Sequence, residues 1–94
     1  MTGDTQNIGG VIITPLKVID VKDGNVLHGM KRSDPGYVGF GEAYFSLVQS
    51  GAVKAWKRHK VMTLNLIVCL GEVRFVMYDN RQDSASENMF QEVI

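Results

Sequence analysis

With 94 residues, the chain is long enough for one domain and too short for two, and its core can only be modest. Ten basic residues against ten acidic ones leave no net charge, which argues against a general nucleic-acid binder, since such domains carry a basic excess. Its 45% hydrophobic and 21% charged fractions are those of a soluble globular protein.

A lone cysteine, Cys69, cannot form an internal disulfide and suits a reducing compartment, as a small apolar core residue. No apolar run approaches the roughly 20 residues that cross a bilayer. The N-terminus lacks the basic and apolar regions of a secretory signal. A cytoplasmic protein with neither a membrane nor a nucleic-acid partner is therefore expected.

Residues 1–9 are polar and glycine-containing and predict a flexible arm, with a single β domain over 10–94. Val11-Ile12-Ile13 is a short β-branched run stopped by Pro15, which cannot donate to a central ladder. Leu16 to Val21 suits an edge strand. Lys22-Asp23-Gly24-Asn25 is a turn in which Gly24 takes positive φ and Asp23 bonds its own backbone. Val26 and Leu27 then return, completing a first hairpin.

Glycines and Pro35 break the chain from His28 to Gly41, with a turn at Asp34-Pro35-Gly36. Ala43, Phe45 and Leu47 alternate with Tyr44, Ser46 and Val48 as in a strand, Ser50-Gly51 punctuates it, and Val53 to Lys60 reads as the next extended piece. Thr63 to Leu70 predicts an apolar strand, Gly71-Glu72 a tight turn, and Val73 to Tyr78 its antiparallel partner. In that partner Val73, Phe75 and Met77 have the period-two spacing of a half-buried strand. Arg74 is expected to pair with Glu72 or Asp79, and Asp79-Asn80-Arg81 to end the hairpin. Asn65 interrupts an apolar run and is read as pointing outward. After a polar, turn-rich stretch over 82–88, Met89 to Ile94 is apolar again. Short strands with turns between them and no amphipathic helix predict an all-β sandwich or barrel. An apolar end suggests a sheet that continues, in a longer chain or through a second copy.

Three stretches resemble the cupin-type sugar-nucleotide isomerases, in particular the dTDP-4-dehydrorhamnose 3,5-epimerase family. Gly10-Val11-Ile12-Ile13-Thr14-Pro15-Leu16 with Asp23-Gly24 looks like that family's opening strand and turn. Gly51-Ala52-Val53-Lys54-Ala55-Trp56-Lys57 is similar to its G-V-L-R-G-L-H segment. Leu64 to Arg81, with Gly71-Glu72-Val73 and Asp79-Asn80-Arg81, looks like its G-E-V…D-x-R hairpin. The wider cupin frame also fits: Gly51, five residues, Lys57-Arg58-His59, four residues, Leu64, six residues, Gly71.

The resemblance implies a cupin-type antiparallel jelly roll, here without its C-terminal strands. Of the frame's two histidines and one glutamate only His59 is present, so it implies no metal, and the epimerase chemistry needs no diffusible cofactor. The family's base histidine falls on Lys57, its oxyanion lysine on Leu64, and its phosphate-contacting arginine on Lys54. Its proton-returning tyrosine matches no residue of these 94.

Two assignments of the catalytic pair remain open. Either Lys57 is the base, its pKa lowered by burial or by Arg58, Lys60 and Lys54, or His59 is the base with Lys57 as oxyanion donor. The plain alternative is a histidine at the rim of a solvated basic strand end. The run Lys54, Lys57, Arg58, His59, Lys60 would attract a nucleotide diphosphate or simply form a charged loop. Tyr44 and Ser46 stand where the family places polar substrate contacts. The implied partners are a nucleotide sugar and a second copy in a homodimer, with strand exchange as one form. A non-catalytic cupin that binds ligand or serves as a dimer scaffold is the alternative function.

Overall fold

The computed structural model describes residues 7–94. Among them there is no helix, and four short strands pair antiparallel in two two-stranded sheets, so the protein is all-β in character. The chain divides into two compact units: Thr14–Cys69, and Met1–Ile13 with Leu70–Ile94.

The unit spanning Thr14–Cys69 is organised by turns. Strands β1 (Val18–Ile19) and β2 (Val26–Leu27) form the first hairpin, in the register Val18↔Leu27 and Ile19↔Val26. Asp23 and Gly24 take φ of 69° and 154°, values that Asp and Gly tolerate better than branched residues. The expected side-chain brace comes from a different residue: Asn25 Oδ1 accepts from Val21 N at 3.1 Å. The second turn also forms, with Tyr37 N donating to Asp34 O and Gly36 at φ 86°. Proline second and positive-φ glycine third is the type II arrangement. Asn65 Nδ2 reaches across to Gly36 O at 3.2 Å, from the exposed position expected of it.

The strands expected over 43–48, 53–60 and 63–70 are not formed as paired elements. Their alternation is real, but a strand exists only against a hydrogen-bonded neighbour, and none of the three finds one within this unit. Their apolar side chains accordingly stand in solvent, Phe45 at 96% and Val53 at 87% exposure. Cys69 is exposed as well, contrary to the core position expected of it.

In the other unit, β3 (Phe75–Tyr78) pairs with β4 (Phe90–Val93), from Phe75↔Val93 to Tyr78↔Phe90. This overturns the predicted hairpin, in which Thr63 to Leu70 was the partner. The real connection is the polar stretch after Tyr78. It is closed by Asp79 N donating to Met89 O at 3.0 Å and Asn88 N donating to Asp79 O at 2.7 Å. The alternation read from the sequence does hold: Val73, Phe75 and Met77 are half-buried and Asp79 is buried, while Arg74, Val76 and Tyr78 are exposed.

On the outer face the Tyr78 and Phe90 rings meet with centroids 4.6 Å apart. Arg74 Nε pairs with Glu92 Oε1 at 2.8 Å rather than with Glu72 or Asp79. Ile8 is the one buried apolar side chain among the described residues and donates its N–H to Gln91 on the inner face; Asp79, Ser86 and Gln91 are buried as well. The arm expected over 1–9 falls mostly on residues 1–6, which lie outside the described residues. Ile8 and Gly9, at its end, are held by hydrogen bonds to Gln91 and Ser86.

Candidate functional site

The expected site residues lie on either side of the Ser50-Gly51 turn. Ala52 N donates to Gln49 O at 2.9 Å, and Gly51 at φ 80° completes a second type II reversal. That reversal brings the chain after Gly51 back beside the segment before Ser50. Lys54 Nζ consequently donates to Ser46 Oγ at 2.8 Å and to Leu47 O at 3.1 Å. Two of the three expected substrate contacts thus converge, whereas Tyr44 is exposed and hydrogen-bonded to neither.

The expected catalytic pair is placed differently. Lys57 and His59 are exposed, and among the described residues no hydrogen bond or ion pair holds either side chain. Arg58 and Lys60 are equally exposed, and Trp56 projects from the same stretch at 66% exposure. No acidic residue occurs between Glu42 and Glu72, an interval that contains Lys54, Lys57, Arg58 and Lys60. The described ion pairs, Arg74–Glu92 and Arg81–Asp79, both lie outside it. No acidic residue within the interval offsets its positive charge, although the whole chain is neutral.

A second polar constellation, centred on Asp79, was read from the sequence only as a hairpin end. The Asp79 carboxylate accepts from Arg81 N, Nε and Nη2 at 2.9, 2.8 and 2.8 Å. It also accepts from Ser84 Oγ at 2.8 Å and Ser86 Oγ at 2.6 Å. Its side chain retains 1% exposure. The Arg81 and Ser86 hydrogen bonds hold the carboxyl far below the usual carboxylate range, outweighing the opposite effect of desolvation. Asp79 in turn raises the Arg81 pKa.

From this carboxylate the network reaches the start of the unit. Arg81 Nη2 donates to Gly9 O at 2.9 Å, and Ser86 Oγ accepts from Gly9 N at 3.0 Å. Both backbone polar groups of Gly9 are thereby satisfied. With five donors on its two oxygens, Asp79 has no lone pair placed to take a substrate proton, so its role is to organise structure. The only advance signal was an Asp-x-Arg spacing followed by two serines, which is common in turns.

Among the described residues no three His, Cys, Asp or Glu side chains gather as metal ligands would. None of the described helices is long and apolar enough to cross a membrane, since none is present. Comparison with protein-family models, curated proteins and solved structures finds no match to this chain.

Proposed function

We propose that the protein is a sugar-nucleotide isomerase of the cupin type, acting on a dTDP-linked 4-keto-6-deoxyhexose in surface-polysaccharide synthesis. The observation that carries this reading is the convergence of Lys54 and Ser46 beside an acid-free, basic stretch. Such a stretch supplies the positive potential that a nucleotide diphosphate requires. In this reading the two small sheets belong to a cupin jelly roll. The protein is cytoplasmic and works as a homodimer, with strand exchange as one way of covering its exposed apolar residues.

The chemistry is proton transfer through an enolate. His59 removes the proton next to the 4-keto group, because imidazole is the side chain whose ordinary pKa lies closest to neutrality. Lys57, two residues earlier, donates to the developing oxyanion, and a solvent proton returns to the enolate carbon as His59 gives up the one it took. Lys54 neutralises phosphate as a point charge, and Tyr44 contacts the substrate.

One observation favours a second reading, a cupin that binds the nucleotide sugar without turning it over. A working base is normally oriented by a hydrogen bond from a further group, and neither Lys57 nor His59 has one among the described residues. Deuterium wash-in separates the two. Incubated in D2O with the 4-keto sugar nucleotide, the isomerase incorporates deuterium beside the carbonyl, and His59→Ala and Lys57→Ala abolish it. Incorporation no faster than in a protein-free control would refute the isomerase and leave the binding module.

A further inference from the structure

We propose that the reversal around Ser50-Gly51, with the basic stretch that follows it, docks on an anionic phospholipid surface. The proposal goes beyond the reading above: Phe45, Leu47, Val53, Trp56, Arg58 and Lys60, on which it rests, take no part in the proposed catalysis.

Two observations meet at this reversal. The first is an apolar display. Phe45, Leu47, Val53 and Trp56 are all exposed, Trp56 the least of them at 66%. The hydrogen bonds from Lys54 Nζ to Ser46 Oγ and Leu47 O hold together the two arms that carry these residues. Large apolar side chains grouped in water are costly to the free protein and mark a surface that something else covers. The second is the order of charge along the chain. No charged residue occurs between Glu42 and Lys54, and then Lys54, Lys57, Arg58 and Lys60 follow one another before any acid. An uncharged reversal can enter the boundary between headgroups and acyl chains while the cations beside it stay at headgroup level.

The same features choose among occupants. A two-fold interface repeats one patch on both partners. A second copy docked here face to face would therefore set these four cations against their equivalents, and like charges brought together are unfavourable. Single-stranded nucleic acid would match the charge, but its bases stack on aromatic rings. Leu47 and Val53 are as much a part of the display and offer no ring. An anionic bilayer suits every member of the set. Aliphatic and aromatic side chains enter its interface, where tryptophan is enriched, and each Lys or Arg near the surface adds attraction. The cytoplasmic leaflet, which faces the compartment proposed above, is the negatively charged one.

Trp56 is the one tryptophan of the chain, so its fluorescence reports on this face alone. The full chain is mixed at low ionic strength with vesicles of phosphatidylcholine and phosphatidylserine, and separately with vesicles of phosphatidylcholine only. Wild type partitions onto the anionic vesicles, Trp56 emission moves to shorter wavelength, and lipids brominated on their acyl chains quench it. Arg58→Gln and Lys60→Gln each weaken partitioning about fivefold, the share of one charge near the surface. Phe45→Ala weakens it about tenfold through lost apolar burial. Because Phe45 is exposed, that variant keeps the fold, and its Trp56 emission without lipid matches wild type.

Absence of partitioning onto anionic vesicles, or equal partitioning onto neutral ones, overturns the proposal. So does partitioning in which Trp56 stays unquenched, since another face then meets the lipid. A blue shift that grows with protein concentration in the absence of lipid gives the face to a second copy instead. Quenching of Trp56 by an oligouridylate, where vesicles leave it unaltered, gives the face to nucleic acid.

Discussion

Gln91 offers the sharpest test of how the strand pair holds the start of its unit. Its Oε1 accepts from Ile8 N at 2.8 Å, and both residues are buried. Gln91→Met keeps the length and flexibility of the side chain and removes the strong acceptor. Leaving a buried amide unpaired costs about 1–3 kcal/mol. The chain can escape this penalty by undocking Ile8, which forfeits the burial of its side chain, a contribution of about 1.5–3 kcal/mol for full burial. The two figures overlap, so the variant is expected to populate the undocked state instead of retaining a buried orphan.

Converted at 1.4 kcal/mol per tenfold, the opening equilibrium of Ile8 rises about 5- to 150-fold. Amide hydrogen exchange read by NMR measures this residue by residue, and Gly9 should lose protection alongside Ile8. Glu92→Gln is the control, since it removes the charge from a partly exposed ion pair on the opposite face of the same strand. It should leave Ile8 exchange within about twofold, because exposed pairs contribute little. Unchanged Ile8 protection in Gln91→Met would show that the hydrogen bond does not hold this segment.

The remaining predictions probe the buried carboxylate, one turn and one ring pair. Because the folded pKa of Asp79 lies below its ordinary value of 3.8, its stabilising effect is fully present above the ordinary carboxylate pKa. It is lost progressively as pH falls through and below that value. Protection of Gly9 N–H should therefore decline on acidification below about pH 4. Asp79→Asn should lower it at neutral pH and flatten that dependence; an equal acid slope in the variant would exclude Asp79 as its source. Gly36→Ala should destabilise its turn by about 1 kcal/mol, through the left-handed backbone that alanine disfavours. The added Cβ would also sit 3.2 Å from Asn65 Oδ1, and faster exchange at Tyr37 N–H is the readout. A double-mutant cycle of Tyr78→Leu and Phe90→Leu in urea unfolding should give a coupling of about 0.5–1.5 kcal/mol; zero coupling would mean that the rings are neighbours without mutual stabilisation.

Much of the local structure was legible because it depends on short-range chemistry. Asp23-Gly24, Pro35-Gly36 and Ser50-Gly51 announce turns, and each forms a turn or bend as its backbone preferences require. Val73, Phe75 and Met77 announce one inward face, and they are the half-buried residues of that segment. The candidate site was legible in part for the same reason. Lys54 and Ser46 lie on either side of a readable reversal, so their convergence needs no distant element. The separation of Lys57 and His59 from any orienting group was not legible, because alternation places two side chains at equivalent positions without supplying a third group to hold them.

Composition and spacing alone determined the β-rich character of the chain, its glycine turns and the acid-free basic stretch in its middle. Only the tertiary structure decided that Val73 to Tyr78 would take Phe90–Val93 as its partner instead of Thr63 to Leu70. Both segments are short and apolar, and pattern does not distinguish between them. Tertiary structure likewise turned Asp79 from the end of a hairpin into the centre of a five-donor network. The hydrogen bonds that Gly9 N donates to Ser86 and Gly9 O accepts from Arg81 depend on the meeting of residues more than seventy positions apart, and no local propensity encodes that approach.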